Sequence, residues 1–296
     1  MQFWNLYATT IQFGLIAGLF ALSAHVTLWR GILSLASAPV AAVAGYSSLA
    51  FVERTSAPYE LAVVLGGVVG AACGVAVGVV LMRLDSHWFA LGTVALIIIV
   101  RVLAVNLGDV TGGTAGKLVP EGVLPWHVFL CFGLACLVFA RIRRSSYGLA
   151  AEAIRRDPDV AAGLGVPLRR HGLQALALAG AIAGVAGVLF AGLTRFLSPD
   201  TFSVNIGFTM LAGVVLGGAY YWLGSVVGGF VFAVLPELLQ SAFPHGVQLV
   251  NGALLLLVVL FMPNGLVDPV RWRRWRQRGT GSRPSPGDGG VPAVES

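Results

Sequence analysis

The chain has 296 residues, 57% of them hydrophobic and 11% charged, and a formal net charge of +6 at pH 7. A soluble domain carries roughly a quarter charged residues, so this composition excludes an ordinary soluble fold. Apolar runs long enough to cross about 30 Å of hydrocarbon recur along the whole length and predict an all-α, polytopic membrane helix bundle; no run alternates over about ten residues as a barrel strand would.

The N-terminal stretch MQFWNLYATTIQF lacks a basic region and a small-residue cleavage site, so the first run reads as a retained helix rather than a signal peptide. Runs at about residues 6–28, 32–52, 61–82, 88–107, 124–140, 173–196, 207–221, 225–242 and 247–262 predict about nine crossings, within a range of 8–10. The Pro-containing run at 32–52 and the short ones at 207–262 are candidates for broken or re-entrant helices. With the segment after Arg141 placed in the cytoplasm, fifteen arginines fall inside: Arg30, Arg83, Arg141, Arg143, Arg144, Arg155, Arg156, Arg169, Arg170, Arg271, Arg273, Arg274, Arg276, Arg278 and Arg283. Only Arg54 and Lys117 fall outside, with Arg101 and Arg195 in or at the edge of the membrane. This asymmetry puts the N-terminus outside and the C-terminus inside. The positive charge is therefore topological, with membrane lipid and not nucleic acid as its surroundings.

On the third run, Gly66, Gly70, Gly74 and Gly78 form a ladder at four-residue spacing. Gly14/Gly18, Gly180/Gly184, Gly213/Gly217 and Gly224/Gly228 repeat the device. Small residues let backbones approach closely in lipid, although isolated pairs also arise by chance in a chain with 39 glycines. VVLGG recurs at Val63–Gly67 and Val214–Gly218, a coincidence in a chain so rich in Val and Gly. Cys73, Cys131 and Cys136 sit in apolar runs and read as lipid-phase thiols, not as a disulfide framework or metal site. Arg101 is the most costly residue, at roughly 2.5–3.5 kcal/mol on insertion scales. Glu237 lies at similar depth in the eighth run, and the two are expected to pair unless each reaches water separately. Thr93, Asn106, Thr209 and Asn251 are nominated for a substrate path, each equally able to satisfy a neighbouring backbone.

DVTGGTAGKL, from Asp109 to Leu118, looks like a phosphate loop but fails two of four fixed positions, with Thr111 for the first glycine and Leu118 for the hydroxyl. On the outer side it is a glycine-rich turn. The cytoplasmic segment 141–172 has helical grammar. Residues 149–156 form a helix that stops before Pro158, and Asp157 caps a second one ended by Gly163 or Gly165. Ala150, Ile154, Ala161 and Leu164 make an alanine-rich apolar face, suited to docking in another protein's groove rather than lying on anionic lipid. SPDT, Ser198–Thr201, reads as a helix cap or an outer contact for a delivering protein. His25, His87, His127, His171 and His245 show no metal-ligand spacing, and no GxSxG elbow or carboxylate pair marks an enzyme. Residues 1–270 form one transmembrane domain and 271–296 a basic, then disordered, tail.

Several of these stretches together resemble branched-chain amino acid ABC-transporter permeases. AIRRDPDVAAGLGVPLRRHGLQALALAGAIAGVAGVL resembles the cytoplasmic loop and following helix of that family through Gly148, Ala153, Ile154, Arg155, Ala161, Ala162, Leu164, Gly165, Ala183, Gly184, Ala186 and Gly187. GILSLASAPVAAVAGYSS matches through Ser34, Leu35, Ala38, Gly45 and Tyr46. RLDSHWFALGTVALIIIVRVLAVNLGDVTGGTAG matches through Arg83, Phe89, Ala90, Thr93, Arg101, Asn106, Thr111, Gly112, Gly113 and Gly116; LSPDTFS, VVLGG and LPELLQ follow in order. The chain departs from the family at Leu149 and Glu152, where arginines are usual, at Gly172 for a lysine, at Ile98 for a glutamate, and in GGAYYWLGS.

The resemblance implies a permease subunit of an ABC importer in a bacterial plasma (inner) membrane, not itself an enzyme. It binds no cofactor and pairs with a second permease. Two cytoplasmic ATPases would use ATP and Mg, and an external binding protein would deliver branched-chain amino acids. The coupling loop would use Gly148, Ala150, Ala153, Ile154, Arg155, Ala161, Leu164 and Gly165. The alternatives are a urea or short-amide permease, and a stand-alone proton-coupled transporter relying on Glu237.

Overall fold

A computed structural model describes the backbone of residues 2–84, 86–119, 123–218, 221–240 and 252, and their side chains except at 2–7, 86 and 236–240. The elements run α1 (Gln2–Trp29), α2 (Ser37–Thr55), α3 (Tyr59–Leu81), α4 (Ser86–Asn106), α5 (Gly108–Thr111), β1 (Lys117–Leu118), α6 (Pro125–Arg143), α7 (Ser146–Arg156), α8 (Pro158–Gly163), α9 (Leu168–Thr194), β2 (Phe196–Leu197), α10 (Val204–Gly217) and α11 (Trp222–Gln240). The two strands pair antiparallel.

Among the described residues, five helices are long and apolar enough to cross a membrane: α1 from Ala8, α3, α4 from His87, α6 and α9. The nine expected crossings are not all matched. α10 has 14 residues, and at 1.5 Å per residue it spans about 21 Å, short of the hydrocarbon core. α2 has 19 residues and is unbroken, because Pro39 stands in its first turn, where a missing N–H costs nothing. Apart from residue 252, the run at 247–262 lies outside the described residues, as does the tail 271–296. α9 begins at Leu168, five residues before its apolar run, so Arg169, Arg170 and His171 form its first turn.

α1 and α9 occupy the core and α2 packs on both. The Ser23 hydroxyl of α1 donates to the Ala179 carbonyl of α9 at 2.8 Å and shares a 2.9 Å hydrogen bond with Ser37 of α2. Both polar groups are buried. Such a bond fixes rotation where apolar packing alone leaves helices free to turn. α4 and α6 lie further out, with Leu91, Ile98, Ile99, Leu130, Leu134 and Leu137 exposed.

The closest seam joins α3 to α9, antiparallel. Gly66 faces Gly184, Gly70 faces Gly180, and Gly74 faces the Leu176 carbonyl. A Cβ built at Gly70, Gly74, Gly180 or Gly184 would fall inside the van der Waals envelope of the opposing backbone oxygen. The ladder and the Gly180/Gly184 pair are thus the two sides of one contact. The other glycine pairs also meet. Gly14 lies against Phe230 and Val234 of α11 and Gly18 against Val226, while Gly213 and Gly217 meet the Gly224–Gly229 stretch. Gly70→Leu is expected to lower the unfolding free energy by about 1–3 kcal/mol or more, since the neighbour is backbone and cannot repack. Gly133→Ala, with nothing within 4 Å of the added methyl, should be neutral or slightly stabilising; thermal unfolding in mild detergent compares the two.

Candidate functional site

The helix directions gather Arg30, Arg83, Arg141, Arg143, Arg144, Arg155, Arg156, Arg169 and Arg170 at one end of the bundle, and there α7 and α8 project. Asp157 caps α8 as its sequence implies: its carboxylate accepts from the amides of Asp159 and Val160, both at 3.0 Å. Pro158 opens the helix, and Gly165 takes φ +85°, a conformation that favours glycine.

The pair is seated by specific contacts. Tyr147 of α7 stacks on His171 of α9, centroids 3.8 Å apart and planes at 10°. The Tyr147 hydroxyl donates to the His171 carbonyl at 3.0 Å, and His171 Nε2 lies 3.1 Å from the Tyr147 carbonyl. Burial pushes the Tyr147 phenol up to about 12, opposed by the nearby Arg30 charge, so it stays a neutral donor. Arg30, just past α1, is buried and donates to the Leu168 carbonyl. Its burial lowers its pKa, but a guanidinium remains charged at any physiological pH. Gly172 leaves it room: a Cβ there would lie 2.6 Å from Arg30 Nη1.

The expected docking face needs correction. Ile154 and Ala161 are buried against the bundle, with Gly148 and Ala151, while Ala150, Ala153 and Arg155 are partly covered. The apolar stripe of α7 seats the pair on its own protein, and helical periodicity alone cannot say which body a stripe faces. The outward apolar residues are Leu149, Val160 and Leu164, exposed by 69%, 58% and 76%. Gly165 is exposed beside them.

At the opposite end, Arg101 pairs with Asp200, its Nε and Nη2 both 2.7 Å from Oδ1. The sequence pairs Arg101 with Glu237, whose side chain lies outside the described residues. Arg101 stands near the last turn of α4, and its guanidinium reaches the loop after α9. Both side chains are more than half exposed on the surface of the protein. Asp200 is therefore an ion-pair partner rather than a cap; within SPDT, Thr201 Oγ1 accepts from the Ser198 amide.

The glycine-rich turn spends its own amides. Gly112 N–H goes to Gly108, Gly113 N–H to the Thr111 hydroxyl and Gly116 N–H to Gly113. Gly112 and Gly116 have φ of +78° and +73°, which explains the glycines without any phosphate. Lys117 ion-pairs with Glu53 at the end of α2.

Among the described residues, no hydrogen bond joins the path candidates Thr93, Asn106 and Thr209 to one another. Thr93 is fully buried, donating to the Ala90 carbonyl and accepting from the Leu35 amide, so it binds α4 to the segment before α2. Asn106 and Thr209 bond to Val102 and Asn205 of their own helices. Asn251 lies outside the described residues. Sequence reasoning missed the Tyr147–His171 stack and the buried 2.7 Å bond between His25 and Ser225; neither has local spacing to reveal it.

The family model for the branched-chain amino acid transport system permease component matches residues 6–260. The high-affinity branched-chain amino acid transport system permease protein LivM of Escherichia coli (strain K12) is 29% identical over 242 residues, covering 70% of this chain and 57% of the relative. The chain thus spans little more than half the length of that relative. The LivH permease protein of Salmonella typhimurium is 33% identical over 144 residues, 48% of this chain and 46% of the relative. A probable LivH of Methanocaldococcus jannaschii is 26% identical over 190 residues, 58% of this chain and 59% of the relative. No solved structure matches. These relatives are transport components, not enzymes.

For the α7–α8 pair, Asp157→Ala should cost about 1 kcal/mol, so the Asp159 and Val160 amides should exchange about fivefold faster with deuterium. Asp157→Asn should retain most of the protection.

Proposed function

Since the chain belongs to the branched-chain amino acid permease family, we propose that this multi-pass membrane protein is the permease subunit of an ATP-driven importer of leucine, isoleucine and valine. It works in a bacterial inner membrane with its arginine-rich end in the cytoplasm, as the charge asymmetry favours. A second permease completes the pathway, two cytoplasmic ATPases supply the energy, and an external binding protein delivers substrate.

The observation that carries this reading is the α7–α8 pair. It is capped, seated and amphipathic, yet it presents Leu149, Val160 and Leu164 to the side where an ATPase would stand. A bare loop would absorb a push, whereas this pair is rigidly attached. Movement of α7 is passed to α9 through the Tyr147–His171 stack, and Arg30 holds the end of α1 to the same α9 turn. α9 in turn is bonded closely to α3 by the glycine seam. A displacement at the cytoplasmic face therefore reaches three membrane helices.

Leu164→Asp should cut co-purification of the ATPases from a mild-detergent extract at least tenfold and abolish labelled leucine uptake, with the permease itself still folded. A buried charge at Ile154, by contrast, should lower the amount of folded permease, because Ile154 is 7% exposed. Failure of any ATPase to accompany the parent protein overturns the importer reading, and uptake of urea but not leucine overturns the substrate.

A further inference from the structure

A cavity of about 240 Å³ opens at the end opposite the arginines, between α2, the start of α3 and the β1–β2 pair. Its walls are mostly apolar, including Leu49, Val52 and Leu197, and two opposite charges, Glu53 and Lys117, stand on it as an ion pair. The volume is below the usual range of about 300–1,000 Å³ for drug-sized ligands, so it suits a smaller molecule. Tyr46 also lines the cavity and is 7% exposed; its hydroxyl is closed off from that space and has no hydrogen-bond partner among the described residues.

Each feature limits the occupant. One cation and one anion side by side fit a molecule carrying both charges close together. An uncharged amide would leave them unused, and a simple anion or cation would leave one of them opposed by nothing new. The apolar remainder fits a short branched or aliphatic side chain.

We propose that this cavity is a receiving site for a free aliphatic α-amino acid zwitterion on the outer face of the subunit. The ligand's carboxylate takes Lys117, its ammonium takes Glu53, and its side chain lies among Leu49, Val52 and Leu197. The Lys117–Glu53 pair closes the empty site and opens as the ligand's charges replace each partner. This rests on the transport reading for the ligand's class and goes beyond it by giving this chain its own site.

The test uses the full transporter complex in lipid nanodiscs without binding protein, with calorimetric titration of L-leucine, L-leucinamide and 4-methylpentanoate. L-leucine should bind about tenfold or more tightly than either analogue, because each lacks one charge-assisted hydrogen bond. Lys117→Gln should erase the preference over leucinamide, and Glu53→Gln the preference over 4-methylpentanoate. Equal leucine binding by parent and both variants overturns the site, as does an analogue preference that survives the charge changes. Labelled leucine uptake separates the two readings. If the parent complex transports leucine with ATP and the variants match it in binding, only the site is lost. If the parent transports none, the transport reading is lost, and the titrations decide the cavity by themselves.

Discussion

The architecture depends on how closely the backbones of α3 and α9 approach. Lipid tails are as apolar as leucine, so nothing comparable to the hydrophobic effect in water presses helices together. What remains is contact, and the largest contact comes where side chains are absent. Gly66, Gly70 and Gly74 against Gly184, Gly180 and the Leu176 carbonyl provide it. α2 then rests on α9, and α1 is locked to both through Ser23.

The two ends of the bundle are built on different physics. At the arginine-rich end the connections are short-range and stiff: a stacked ring pair with reciprocal hydrogen bonds, a buried guanidinium on a carbonyl, a carboxylate cap. At the other end stand two ion pairs, Arg101 with Asp200, which is exposed, and Lys117 with Glu53, which is partly covered, beside a two-residue strand pairing. Exposed pairs are weak and screened by salt. One end is suited to transmitting a displacement and the other to opening and closing.

Much of this was legible in the residues. Four-residue glycine spacing names both sides of the α3–α9 seam, because the helical repeat puts such positions on one face. Asp157-Pro158 names a helix start, since both residues act on their own neighbours. Less legible was whatever depended on a distant partner. A long side chain near a helix end is free to reach a loop, and Asp200, the ion-pair partner of Arg101, carries no periodic mark. Ile154 and Ala161 do lie on one stripe with Ala150, yet the stripe is spent on the protein's own bundle. The polar path candidates were chosen for being unusual in apolar helices; the backbone claimed Thr93, Asn106 and Thr209 first.

A seam made of main chain also constrains how the chain can change over generations. In an ordinary core a larger residue on one side can be answered by a smaller one opposite, and the pair drifts together. Between Gly70 and Gly180 there is no side chain left to shrink. No second substitution across the contact can absorb a first, so these positions have no reciprocal partner to vary with, and their mutual contact would leave no trace as paired substitutions among descendants.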